Sequence, residues 1–102
     1  MLIRTSAAAP AGPARPTPTL LHSSTDLRLL VFNLAPGQQV APHSSRSTVV
    51  LTVLAGHGTL QNGEAVLAAG PGDLTVVEPR ALHGFTAGDE PMTVLAAIAP
   101  CP

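Results

Sequence analysis

Turn residues cut this chain into short pieces, and no piece carries a sustained helical period with caps. Pro36-Gly37, Gly56-His57-Gly58, Asn62-Gly63, Gly70-Pro71-Gly72-Asp73 and Gly88-Asp89 recur at short, regular spacing. Between them lie runs rich in Val, Leu and Thr: Leu27–Leu34, Ser47–Leu54, Leu74–Val77, Ala81–Thr86 and Met92–Ile98. Such runs bounded by Gly, Pro, Asn and Asp read as strands, so the expected class is all-β, a sandwich or barrel. Thr59–Gln61 and Glu64–Leu67 flank Asn62-Gly63, a dipeptide that favours a two-residue type I′ hairpin because both central residues take positive φ.

The 102 residues suffice for one domain. Residues 19–100 are expected to form it. Residues 1–18 form an N-terminal extension whose Ala7–Pro18 stretch is too rich in proline for a helix or a central strand. That stretch reads as a leader, as a linker after a short strand at Leu2–Thr5, or as an edge strand swapped onto a partner subunit. Only 11% of residues are charged, against ~25% in an ordinary globular domain. A small core under a weakly charged surface points to a homodimer.

Composition also excludes classes. The five arginines are scattered, lysine is absent, and two phenylalanines are the only aromatic rings, so neither a phosphate-neutralising stripe nor a base-stacking platform exists. Nucleic acid is not an expected partner. No apolar run approaches the ~20 residues of a membrane-spanning helix. The opening Met1-Leu2-Ile3-Arg4 lacks the apolar segment of a secretory signal, and the single Cys101 allows no disulfide within one chain, so the expected compartment is the cytoplasm.

Two histidines follow glycine-marked turns at telling distances. Gly37, five residues and His43, with a closing Gly56, make the first unit; Gly72, Asp73 and His83 make the second. Both units resemble the two signature motifs of the cupin superfamily over about residues 27–99. Ser45 stands at the first motif's second histidine position and Val49 at its glutamate position. In the second motif Glu78 stands where a proline is expected, Arg80 replaces a glycine, and Ala87 occupies the asparagine position. The resemblance implies a jelly-roll β-barrel, the double-stranded β-helix. It also implies a divalent transition metal (Zn, Fe, Ni or Mn), for which His43 and His83 are the matching ligands.

Alternation along a strand adds the remaining candidates. Odd positions from 43 to 53 share one face, and His83 shares a face with Phe85. The expected pocket therefore holds His43, Ser45, Ser47, Val49, His83 and Phe85 among aliphatic walls. Two imidazoles fall short of the three protein ligands of a catalytic zinc or a non-haem iron site, and Val49 cannot ligate. His22 is the candidate third donor.

Three functions follow. The first is a pocket for a small molecule with His43 and His83 as polar anchors. The second, implied by the resemblance, is a metal-dependent enzyme of dioxygenase or isomerase type with an incomplete His-based site. The third is metal-free acid–base catalysis by either histidine. Whether the chain is an enzyme stays open at this point.

Overall fold

The computed structural model describes residues 1–12 and 16–102; the expected leader's residues 13–15 lie outside them. Among the described residues nine strands follow one another: β1 (Thr19–Ser23), β2 (Arg28–Leu34), β3 (Gln39–His43), β4 (Thr48–Ala55), β5 (Gly58–Asn62), β6 (Ala65–Ala69), β7 (Leu74–Val77), β8 (His83–Ala87) and β9 (Met92–Ala99). They build a five-stranded sheet in the order β1-β2-β9-β4-β7 and a four-stranded sheet in the order β3-β8-β5-β6. Every pairing is antiparallel. The result is a jelly roll of two facing sheets, with no hydrogen-bonded closure into a continuous barrel among the described residues.

The core follows from alternation. In β4 Val49, Leu51 and Val53 are buried while Thr48, Val50 and Thr52 are half-exposed; in β9 Met92, Val94 and Ala96 are buried in the same rhythm. Each fully buried Val, Leu or Met contributes about 1.5–3 kcal/mol relative to exposure. The chain's two phenylalanine rings meet across the sheets: Phe32 of β2 and Phe85 of β8 stand edge to face, with centroids 5.0 Å apart. This arrangement suits the ring quadrupoles and adds about 0.5–1.5 kcal/mol beyond area burial.

Two expectations change. Leu2–Thr5 forms no strand; a 3₁₀ turn runs over Thr5–Ala7, and the arm then lies back on its own large sheet. Asn33 donates its amide to the Ala9 carbonyl, Gln38 donates to Gly12, and the Ala9 amide donates to Thr19 Oγ1. Side chains thus satisfy a backbone too proline-rich to build a ladder. The β5–β6 hairpin also differs from a type I′ turn. Asn62 pairs with Ala65, so Gly63 and Glu64 are central, and only Gly63 has positive φ (62°). That is the II′ pattern, which places glycine first.

One irregularity positions the site. Between Val40 and His43, strand β3 carries three steps where β8 carries two, a β-bulge at Ala41-Pro42. Proline lacks the amide that a regular ladder would need, so the bulge suits it. The extra residue brings Val40 opposite Phe85 and His43 opposite His83. Gly84 makes room: a Cβ there would lie 2.8 Å from the Val40 carbonyl oxygen and 3.1 Å from Pro42. Gly84→Ala is expected to destabilise the fold by about 1–3 kcal/mol through overpacking. Urea unfolding at unchanged m-value checks this, and an unchanged midpoint would show that the bulge yields freely.

Candidate functional site

β3 ends beside the start of β8, and the pair at that end of the ladder is the two histidines. The rings face one another with centroids 4.2 Å apart and planes inclined by 59°. His43 is exposed, and its Nδ1 donates to the Ala41 carbonyl at 3.0 Å, because a carbonyl can only accept. When the ring is neutral, that bond selects the tautomer with the proton on Nδ1 and the lone pair on Nε2. His83 is only 5% exposed, and its Nδ1 is buried without a hydrogen-bond partner. A buried, unpaired polar atom of this kind costs about 1–3 kcal/mol.

Burial holds the His83 pKa below the usual histidine value, and the charge that His43 can carry lowers it further; the neighbouring Ala81 backbone works the other way. His83 is thus a neutral ring at physiological pH.

The rings border a cavity of about 50 Å³ between the two sheets. Val49 and Phe85 line it as alternation predicts, with Leu30 and Phe32 of β2 opposite. Leu51, Ala96 and Ile98 complete an otherwise aliphatic wall. The volume suffices for a few water-sized groups. It is well below the roughly 300–1,000 Å³ of pockets that enclose a whole drug-sized ligand.

Ser45 and Ser47 do not join this lining, contrary to expectation. Alternation holds only along one strand, and residues 44–47 carry the chain from the small sheet to the large one. Ser45 Oγ instead donates to the Ser47 carbonyl and accepts from the Ser47 amide, both at 3.3 Å. Ser47 is buried but donates to the Pro100 carbonyl at 2.6 Å.

The donor set does not suit a resident divalent metal. His22 pairs with Leu29, next to the cavity-lining Leu30 and therefore on the opposite side of β2. His57 binds Glu90 in a surface ion pair. No group of three or more His, Cys, Asp or Glu side chains among the described residues is placed to hold a metal. Two imidazoles beside Val49 leave a site one protein ligand short.

A protein-family profile described as the cupin domain matches residues 30–98. The chain belongs to the cupin family. Solved structures agree on the architecture of this cupin. The protein TT1209 from Thermus thermophilus is 23% identical, with a TM-score of 0.92 over 99% of this chain and 98% of that one. An RmlC-like cupin protein from Desulfovibrio desulfuricans is 29% identical, with a TM-score of 0.87 over 98% and 97%. A protein with a double-stranded β-helix domain from Klebsiella pneumoniae is 25% identical, with a TM-score of 0.81 over 88% and 83%. Among curated proteins, none matches the chain. No helix among the described residues is long and apolar enough to cross a membrane.

What sequence reasoning missed is the contribution of β2 and β9. Leu30, Phe32, Ala96 and Ile98 sit outside both motifs, and only the order of strands in the large sheet brings them under the histidines. The alternation of β2 could have exposed Leu30 and Phe32 as one inward face.

Because the His83 pKa is lowered on folding, the unfolded chain binds more protons below its reference value of about 6.5. The neutral ring's contribution to stability is present in full above that value and is lost as pH falls toward the lowered pKa. Between about pH 7.5 and about pH 5.5, the wild-type Tm should fall further than that of His83→Gln. Equal falls would show that burial of His83 has no linkage to stability.

Proposed function

We propose that this cupin binds a small molecule at the mouth of the cavity, with His43 and His83 as its polar anchors. The observation that carries the reading is the pairing of His43 with a buried His83 whose Nδ1 has no partner, the two rings 4.2 Å apart at the edge of the cavity. His43 supports it with an Nε2 that can accept a proton or a hydrogen bond. The cavity volume implies that only a few heavy atoms of the ligand enter, while the rest stays outside.

The pair can orient a hydroxyl or amide at the edge of the apolar floor. It is also suited to moving one proton at His43 Nε2, the acid–base variant of the same site. Metal-dependent chemistry of dioxygenase or isomerase type is the alternative, supported by the adjacency of two imidazoles alone. Elemental analysis of protein purified without chelator separates the readings, since near-stoichiometric Zn, Fe, Ni or Mn favours the alternative.

For the binding reading, titration of the protein with a library of small polar fragments should move the imidazole resonances of both histidines. His43→Ala should weaken the hits about five- to tenfold, the worth of one hydrogen bond. Fragments that bind while leaving both imidazoles unmoved would overturn it.

We also infer a homodimer through one outer face, with residues 19–100 as the folded unit. Leu74 and Val76 on the edge strand β7 are 58% and 50% exposed, an apolar edge of the kind that monomers usually protect. Light scattering should return close to twice 10.3 kDa, and a monomer mass would refute the dimer.

A further inference from the structure

The wall of β2 that lines the cavity continues outward to an arginine. Leu30, Phe32 and Leu34 alternate on the inner face, and Arg28, the first residue of the strand, stands on the same side. Its partner across β9 is Ile98, itself a cavity residue, while Leu30 pairs with Ala96. Arg28 therefore sits two residues above Leu30, about 6.6 Å along the strand, a span that an arginine side chain bridges readily.

Arg28 is half-buried, and among the described residues its guanidinium makes no hydrogen bond or ion pair. The single ion pair there joins His57 to Glu90, beyond the far ends of β4 and β8. Arg46 and Arg80 stand on loops at the same end as Arg28, joined where the Arg80 amide donates to the Ser45 carbonyl. Asp26, Glu64 and Glu78 also belong to that end, but none lies within ion-pair distance of Arg28. A half-buried cation without a carboxylate, on the strand side that faces an apolar cavity bordered by two imidazoles, is complementary to an amphipathic anion.

We propose that Arg28 is the specificity-determining residue of this site, selecting a short monocarboxylate whose charged end rests at the mouth and whose few-carbon apolar end enters the cavity. This rests on reading the His43–His83 cavity as the binding site. The carboxylate meets the guanidinium fork, and the aliphatic walls exclude longer or more polar tails. His43 and His83 border the same cavity, so their resonances report the entry of a ligand whatever its charge.

Propionate and its neutral isostere propionamide separate these roles. Both should move the His43 and His83 imidazole resonances, with propionate bound at least tenfold tighter. Arg28→Met should remove that preference, weakening propionate at least tenfold more than propionamide. Arg28→Lys should keep part of it, and Arg46→Gln should keep all of it. Equal affinities for the two probes, or a preference that survives in Arg28→Met, would overturn the role of Arg28 and leave the cavity reading intact. Neither probe moving either imidazole would overturn the cavity reading and this proposal together. If Arg28→Met does not fold, loss of the preference in Arg28→Gln serves as the same test.

Discussion

The site depends on the accommodation of an extra residue in β3 by a glycine in β8. Without the bulge at Ala41-Pro42, the residue opposite His83 would be Pro42, and His43 would move out of the pair. Gly84 permits the bulge because the Val40 carbonyl and Pro42 occupy the space where any side chain would begin. A local backbone irregularity therefore does what no pair of regular strands would do here. It places Val40 against the core and His43 beside the cavity, although the two are three residues apart.

Around that pair the fold supplies an environment with consequences of its own. The floor is aliphatic and the two phenylalanines lock the sheets together, so the cavity cannot expand without separating Phe32 from Phe85. An imidazole buried in such surroundings is held neutral. The cupin scaffold thus keeps its packing and turns, and departs from the motif pattern that it resembles at two of the four ligand positions, Ser45 and Val49. Val49 shows this most directly, since the side chain at the glutamate position of the motif has become part of the apolar wall.

Much of the architecture was legible beforehand because alternation and turn chemistry are local. β4, β7 and β9 follow from dense β-branched runs ending at glycine or proline signals, and the paired strand–turn–strand units carried the resemblance to cupins. Other features were harder to read. Asn62-Gly63 suggested a I′ turn, yet pairing of Asn62 with Ala65 moved the hairpin one residue along. The choice between those registers is set by the neighbouring strand β8, where Asn62 faces His83 and the Gly63 amide donates to Leu82. Ser45 and Ser47 lie in a segment that changes sheets, where the alternation of a single strand no longer tells which side is inward.

The amino-acid order alone determined the all-β class, the two glycine-to-histidine spacings and the small aromatic and charge content, because each depends on residue identity or on neighbours in the chain. Tertiary structure alone decided which distant walls met the histidines. Leu30, Phe32, Ala96 and Ile98 came to the cavity through the order β2-β9-β4 of a sheet whose strands lie far apart in sequence. Hydrogen bonding between remote strands, and the burial that it makes favourable, set that order; no local pattern encodes it.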